Sequence, residues 1–524
     1  MTKTIFMLIC SALLFFGCKE NTPPNILFAI ADDASYPHMS AYGCEWVKTP
    51  AFDKVASDGI LFSNAYTPNA KCAPSRACIL TGRNSWQLKE AANHWPYFPV
   101  EFKTFAEVLH ENGYHVGYTL KGYAPGIALN TDGSKRNLLV KAYNSEKLIP
   151  PTTGISKIDY AGNFEKFLED RTEDTPFFFW YGSVEPHRAY EFNSGSRITG
   201  STPAEIDAVP TFWPDNDTIR RDMLDYAFEI EYFDSHLQKM LAKLEEIGET
   251  GNTIVIVTAD NGMPFPRAKG QAYDYSNHLP LAIKWPGKIK NPGRLITDYV
   301  NFIDFAPTFL ELALIDQEES GMQTITGRSL TDIFFSSKKN QATTYRDHIL
   351  IGKERHDIGR PDDVGYPIRG IVKDGMLYVI NFKTDRWPAG DPLTAYLNCD
   401  GSPTKTQILN LNRTGSSSYF WNLSFGKRSG EELYDLSNDR ECMNNLAYQP
   451  EYLEIKNNMS KLLKAELSEQ KDPRILGEGD IFDQYPYSDT KHKDFYNRYM
   501  NGEDVPAGWV NKTDFEESVV IRHP

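Results

Sequence analysis

Two adjacent polar pairs, Asp32-Asp33 and Asp260-Asn261, offer nothing but oxygen donors, four of them carrying three negative charges. Each closes an apolar run, "NILFAIADD" (25–33) and "NTIVIVTADNG" (252–262). Either pair alone reads as a turn or a helix cap. Two pairs placed alike read as ligands of a hard cation. The set suits Ca²⁺, fits Mg²⁺ less well, and does not suit zinc, which takes His or Cys. Cationic side chains recur near comparable segments: Arg76, Lys121 in "GYTLKGY", His187 in "EPHR" and Lys269 in "PFPRAKG". Each lysine alone belongs on a solvated surface. Together with a metal, these groups describe a pocket for a tetrahedral oxyanion. Cys72 stands four residues before Arg76 in the small-residue stretch "NAKCAPSRACILTGR" (69–83).

The elements that must position these groups follow from periodicity. Residues 25–33, 176–188 ("PFFFWYGSVEPHR") and 252–262 are apolar runs whose polar residues begin at the carboxyl end, the pattern of buried strands. Helical spacing alternates with them, in "TFAEVLHENG" (104–113) and in "DYAFEIEYFDSHLQKMLAKLEEIG" (225–248), which stops at Gly248. Strand–helix alternation predicts an α/β fold with a doubly wound, mostly parallel sheet. Ligands of such sheets bind at the strands' carboxyl ends. Beyond about residue 345 the texture changes. "PIRGIVKDGMLYVINF" (367–382) predicts a hairpin turning at Asp374-Gly375, and a helix follows near 450–468. The expected division is a catalytic domain over 25–345, a smaller antiparallel α+β subdomain over 346–475, and a tail over 476–524 that wraps the surface.

Composition narrows the class. A chain of 524 residues, 41% hydrophobic, can build a large core plus a smaller unit. A net charge of −15 argues against a protein that binds nucleic acid over its whole surface. The first residues, "MTKTIFMLICSALLFFGC", hold an apolar run too short to span a bilayer and suited to a signal peptide over 1–17. The small-residue-then-Cys junction resembles a lipoprotein signal, with Cys18 as the acylated first residue. The expected location is outside the cytoplasm: lipid-anchored in the periplasm or at the outer-membrane surface, or secreted. The membrane is met only through that anchor. Cys44, Cys72, Cys78, Cys399 and Cys442 remain, an odd number that marks one thiol for another fate; pairing among the others stays open.

Cys72-Ala73-Pro74-Ser75-Arg76, followed by Leu80-Thr81-Gly82-Arg83, matches C-x-P-S-R-x-x-x-L-T-G-R at every fixed position. With "TADNGMPFP" and "EPHR", the chain resembles the type I, formylglycine-dependent sulfatases of the alkaline-phosphatase superfamily, and within them the heparan N-sulfatase (sulfamidase) branch. The resemblance implies that Cys72 is oxidised to Cα-formylglycine by a formylglycine-generating maturation enzyme. It also implies that Asp32, Asp33, Asp260, Asn261 and residue 72 hold one Ca²⁺. Arg76 would hold the nucleophile, and Lys121, His187 and Lys269 the sulfate. His187 is the expected acid for the leaving group, since imidazole titrates near neutral pH.

One position departs from the family pattern. Tyr123 stands where Gly-Lys-x-His would put a second histidine, and a phenol is a poor proton shuttle. Its role would fall to His187 alone, or to His278 or His356. The charged loop around Arg355, His356 and Arg360 is expected to contact sugar, with Tyr123 and His278 as further substrate contacts. The implied substrate is a sulfated carbohydrate: O-sulfates of algal polymers such as ulvan or of glycosaminoglycans, with N-sulfoglucosamine as the alternative. Two other readings stay open, a formylglycine-dependent phosphodiester or phosphonate monoester hydrolase and a glycan-binding lipoprotein with an inactive site.

Overall fold

The computed structural model describes residues 23–519 and 521. The expected signal segment and Cys18 lie outside the described residues. Strands β1 (Asn25–Ala31), β2 (Ile60–Phe62), β3 (His115–Leu120), β4 (Phe177–Gly182), β5 (Thr253–Ala259), β6 (Leu281–Lys284) and β7 (Arg294–Ile296) form one sheet. Their spatial order is β7-β2-β6-β5-β1-β4-β3. β1 lies centrally, parallel to β4 and β5. β6 runs antiparallel to both β5 and β2, so the sheet is mixed, with one reversed strand among parallel neighbours. Alternate residues of β1 feed opposite cores: Leu27, Ala29 and Ala31 on one face, Ile26, Phe28 and Ile30 on the other. A strand buried on both faces cannot carry polar residues along its length. Its polar residues collect at the end.

Helix α1 (Cys72–Thr81) is buried along its whole length and ends at Gly82 in the left-handed region (φ 67°). A Cβ on Gly82 would lie 2.8 Å from the Ile325 side chain, so both conformation and space demand glycine there. Helix α2 (Phe105–Glu111) opens with a capping box between Thr104 and Glu107. Helix α3 runs from Asp217 to Glu246, eight residues earlier than its apolar spacing predicts. Asn216 caps it by accepting from the Ile219 amide, and the added turns bury Ile219, Met223 and Leu224 among charged residues.

The second sheet is antiparallel: β8 (His348–Lys353), β9 (Ile368–Lys373), β10 (Met376–Asn381) and β11 (Glu431–Asp435). The predicted hairpin is present, and Asp374 (φ 50°) and Gly375 (φ 73°) supply the two left-handed residues of its tight turn. Helix α4 (Leu453–Glu469) lays Met459, Leu463 and Leu467 on this sheet. Residues between β10 and β11 return to the first unit. Ile408, Leu409, Trp421 and Phe425 join the apolar cluster that includes α3. Among the described residues, no helix is long and apolar enough to cross a membrane. Cys44, Cys72, Cys78, Cys399 and Cys442 are free thiols, all buried.

Candidate active site

The carboxyl ends of β1 and β5 are bound together. The Asp260 amide donates to the Ala31 carbonyl (3.1 Å), and the Asp33 amide donates to Asp260 Oδ1 (3.1 Å). Carboxylate oxygens of Asp32, Asp33 and Asp260 lie within 4.8 Å of one another, all fully buried. Asn261 Nδ2 donates to Asp33 Oδ1 (2.7 Å), leaving Asn261 Oδ1 buried without a partner. Cys72, at the amino end of α1, points its Sγ at this group, 3.5 Å from Asp32 Oδ1 and 3.9 Å from Asp33 Oδ1. The positive end of the helix faces the acids.

Three cations close around them. Arg76 Nε donates to Asp260 Oδ2 (2.8 Å), and its Nη1 is spent on the carbonyls of Lys121 and Gly122. Lys121 Nζ pairs with Asp32 Oδ2. Lys269 Nζ bridges Asp33 (2.6 Å) and Asp400 (2.8 Å). Burial, then the charge of Asp260, raises the Asp32 carboxyl, while Arg76 and Lys121 hold Asp260 low against its own burial. So crowded a set of acids keeps a proton unless more positive charge arrives. Cys72 is pushed well above its ordinary range by burial and by Asp32. An unmodified thiol here stays protonated and is a weak nucleophile.

His187 stands 3.8 Å from Asp33 Oδ2 through Nε2, and its Nδ1 donates to the Arg188 carbonyl (2.6 Å). The ring keeps a 31% exposed edge, yet desolvation and then Lys269 hold it down at about 4. It is therefore neutral near pH 7, contrary to the expectation of a histidine titrating there. A cavity of about 360 Å³ opens beside it, lined by Asp32, Leu120, Lys121, Ala124, Gly154, Val184, His187 and Arg188.

Nine of the residues singled out in the sequence converge here: Asp32, Asp33, Cys72, Arg76, Lys121, His187, Asp260, Asn261 and Lys269. Five others do not. The Tyr123 ring packs edge-on against Phe98 (5.1 Å), and its hydroxyl is buried without a partner, so it does not stand as a second proton donor. His278 is stacked between Tyr36 and Tyr66 and hydrogen-bonded to Asp274 and the Ser63 carbonyl. His356 is fully buried, with Nε2 on Asn69 Oδ1 (2.7 Å). Arg355 is turned to the carbonyls of Tyr485 and Pro486, and Arg360 to those of Trp387, Val364 and Pro388. The loop that reads as an open sugar-binding surface is instead interior, because backbone carbonyls of neighbouring segments satisfy its guanidiniums. Asp400 joins the site and was not anticipated, since no strand or motif precedes it.

The sulfatase family profile matches residues 24–315. Human N-sulphoglucosamine sulphohydrolase is 27% identical over 482 residues, covering 85% of this chain and 90% of that protein. An ulvan-active sulfatase of Formosa agariphila is 27% identical over 471 residues, covering 87% and 82%. A solved structure in complex with its substrate D-glucosamine-2-N,6-O-disulfate shares the fold. It has a TM-score of 0.59 at 20% identity, across 86% of this chain and 98% of that one.

Proposed function

The chain belongs to the sulfatase family, and from that premise we propose that it removes sulfate from O-sulfated polysaccharide fragments, with a Cα-formylglycine at position 72 and a Ca²⁺ held by Asp32, Asp33, Asp260 and Asn261. The observation that carries this reading is the oxygen cluster facing Cys72, with Asn261 Oδ1 unpaired. Four buried carboxylates (Asp32, Asp33, Asp260, Asp400) against three cations (Arg76, Lys121, Lys269) leave one excess negative charge. A divalent cation reverses it to one positive charge, which matches the single negative charge of a sulfate ester. That charge balance and the hard donors favour Ca²⁺. Calcium would supply Lewis acidity toward a sulfate oxygen. A hydrated aldehyde at residue 72 would supply two hydroxyls on one carbon, one to attack sulfur and one whose deprotonation expels sulfate.

The chain's own side chains do the rest. Lys121 and Lys269, whose ammonium groups stand among these acids, would offer N–H groups to the sulfuryl oxygens, where preorganised donors count most as charge develops. Arg76, fixed by two carbonyls and Asp260, keeps residue 72 and the acids in register. His187, which lines the cavity, is the group we assign to the leaving oxygen. Its ring must take up a proton beside the anionic sulfate before it can give one to an alkoxide. N-sulfoglucosamine is a second reading, favoured by the similarity to human N-sulphoglucosamine sulphohydrolase over 85% of the chain. The protein would be exported and tethered through Cys18, and would depend on a maturation enzyme for residue 72.

Produced together with that enzyme, the protein should show an aldehyde in the peptide containing residue 72. It should release inorganic sulfate from ulvan or glycosaminoglycan oligosaccharides, lose activity on chelation, and regain it better with calcium than with zinc. Faster hydrolysis of bis-aryl phosphates than of any sulfate would overturn the reading in favour of the phosphodiesterase class. His187→Ala should slow sugar sulfates by about 10²–10⁴-fold and spare 4-nitrophenyl sulfate, whose phenolate leaves unaided.

A further inference from the structure

Asp400 lies in a loop (395–402) braced from several sides. Lys405 Nζ donates to the carbonyls of Ala395 (2.8 Å) and Cys399 (2.7 Å) and pairs with Asp514 (3.2 Å). Trp509 Nε1 donates to the Leu397 carbonyl (3.0 Å), and the Gly401 amide donates to the Trp509 carbonyl (2.8 Å). The bracing fixes a carboxylate whose oxygen lies within 4.8 Å of a ring nitrogen of His187 and of Asp33. Of its two oxygens, only Oδ2 takes a donor from the described residues, the Lys269 ammonium. Oδ1 is an acceptor with unspent capacity on a carboxylate that neighbours His187. A carboxylate accepts and cannot donate, and in a confined site it repels a second anion.

We propose that Asp400 is a specificity residue that accepts a hydrogen bond from a free hydroxyl on the sugar carbon next to the sulfated one. This rests on the sulfatase reading above. With the leaving oxygen at His187, a donor at Asp400 Oδ1 lies within the span that neighbouring substituents of one ring bridge. The enzyme then prefers a sulfate flanked by a free hydroxyl, and discriminates against a ring whose adjacent position is deoxygenated or itself sulfated. A site built to pair with a hydroxyl leaves its own polar group unpaired when that hydroxyl is missing, which is how discrimination arises.

The test uses the matured full-length enzyme and a methyl glycoside monosulfate that it turns over. That sugar is supplied as the parent, as the analogue lacking the adjacent hydroxyl, and as the adjacent disulfate, with 4-nitrophenyl sulfate alongside. Wild type should favour parent over deoxy analogue by about 10- to 100-fold in kcat/KM, the range for a hydrogen bond to a charged group. In Asp400→Ala that ratio should fall to within about threefold, even though loosening of Lys269 lowers every rate. In Asp400→Asn part of the hydroxyl preference should return through the amide oxygen, and the disulfate should gain on the parent. These are ratios within one preparation, so the fraction of folded or matured protein cancels. An unchanged parent-to-deoxy ratio in Asp400→Ala, with all rates down together, would overturn the proposal and reduce Asp400 to a positioner of Lys269. Absence of turnover on every sulfate by wild type would overturn the sulfatase reading and this proposal with it.

Discussion

At the carboxyl ends of the main sheet four carboxylates share three cations, whereas under the second sheet buried charges meet one for one. There Arg369 holds Asp472 and Glu354, each at 2.8 Å, and Arg474 holds Glu354 at 2.8 Å, with all four side chains at most 3% exposed. Both regions bury charge deeply. They differ in balance. Matched charges answer each other and need no ligand, and they tie β9 to the segment that follows α4. Three carboxylates within 4.8 Å of one another are unfavourable by themselves, and beyond the three cations at hand a retained proton or a further cation must offset their repulsion. Imbalance, more than burial, separates the part built to bind from the part built to hold.

Breaking that distinction calls for two variants. Asp260→Ala removes a carboxylate from the crowded cluster and should cut turnover by at least about 10³-fold. It should also abolish any rise in melting temperature on adding calcium, and retention of that rise would place the metal elsewhere. Asp472→Ala strikes the balanced cluster and leaves Arg369 and Arg474 sharing one buried carboxylate, Glu354. With Glu354 still beside Arg369, it should cost about 2–4 kcal/mol in denaturant unfolding while kcat/KM of the folded protein stays near wild type. Activity loss without stability loss would erase the contrast.

Glu229 on α3 tests the principle outside both regions, because both of its carboxyl oxygens are buried without partners. Burial, and then Glu185, raises it well above the ordinary range. The folded state therefore holds a proton that the unfolded state releases. This stabilisation is full below the unfolded value near 4.3, and is lost as pH rises toward the folded value. Relative to Glu229→Gln, wild type should lose about 1.4 kcal/mol per pH unit across that window. A constant stability difference from pH 5 to 7 would mean that the carboxyl has a partner.

The strand-end residues were legible because β1, β4 and β5 are buried on both faces, so the first polar residue in each run marks where the sheet stops. The C-x-P-S-R spacing was equally visible, since it sits within one short helix. Asp400 was not. It lies 131 positions after Lys269 in a loop without periodicity, and only tertiary placement brings the two together. Arg355, His356 and Arg360 misled for the converse reason. A loop rich in charge and glycine looks solvated, while the carbonyls that enclose it leave no trace in composition. Tyr123 stands out in the motif as a substitution, but its direction, into the apolar layer against Phe98, depends on packing that the motif does not encode.

The bracing of the loop at 395–402 has a consequence for redesign. Its supports, Trp509 and Asp514, come from the far end of the chain, more than a hundred residues later in sequence. Transplanting that loop alone between relatives would import a side chain without its scaffold, and the recipient would be floppy where it must be exacting. The exchangeable cassette is the loop together with the stretch around 505–516. Engineers who shift the appetite of this enzyme from one sugar to another should graft the two as a matched set.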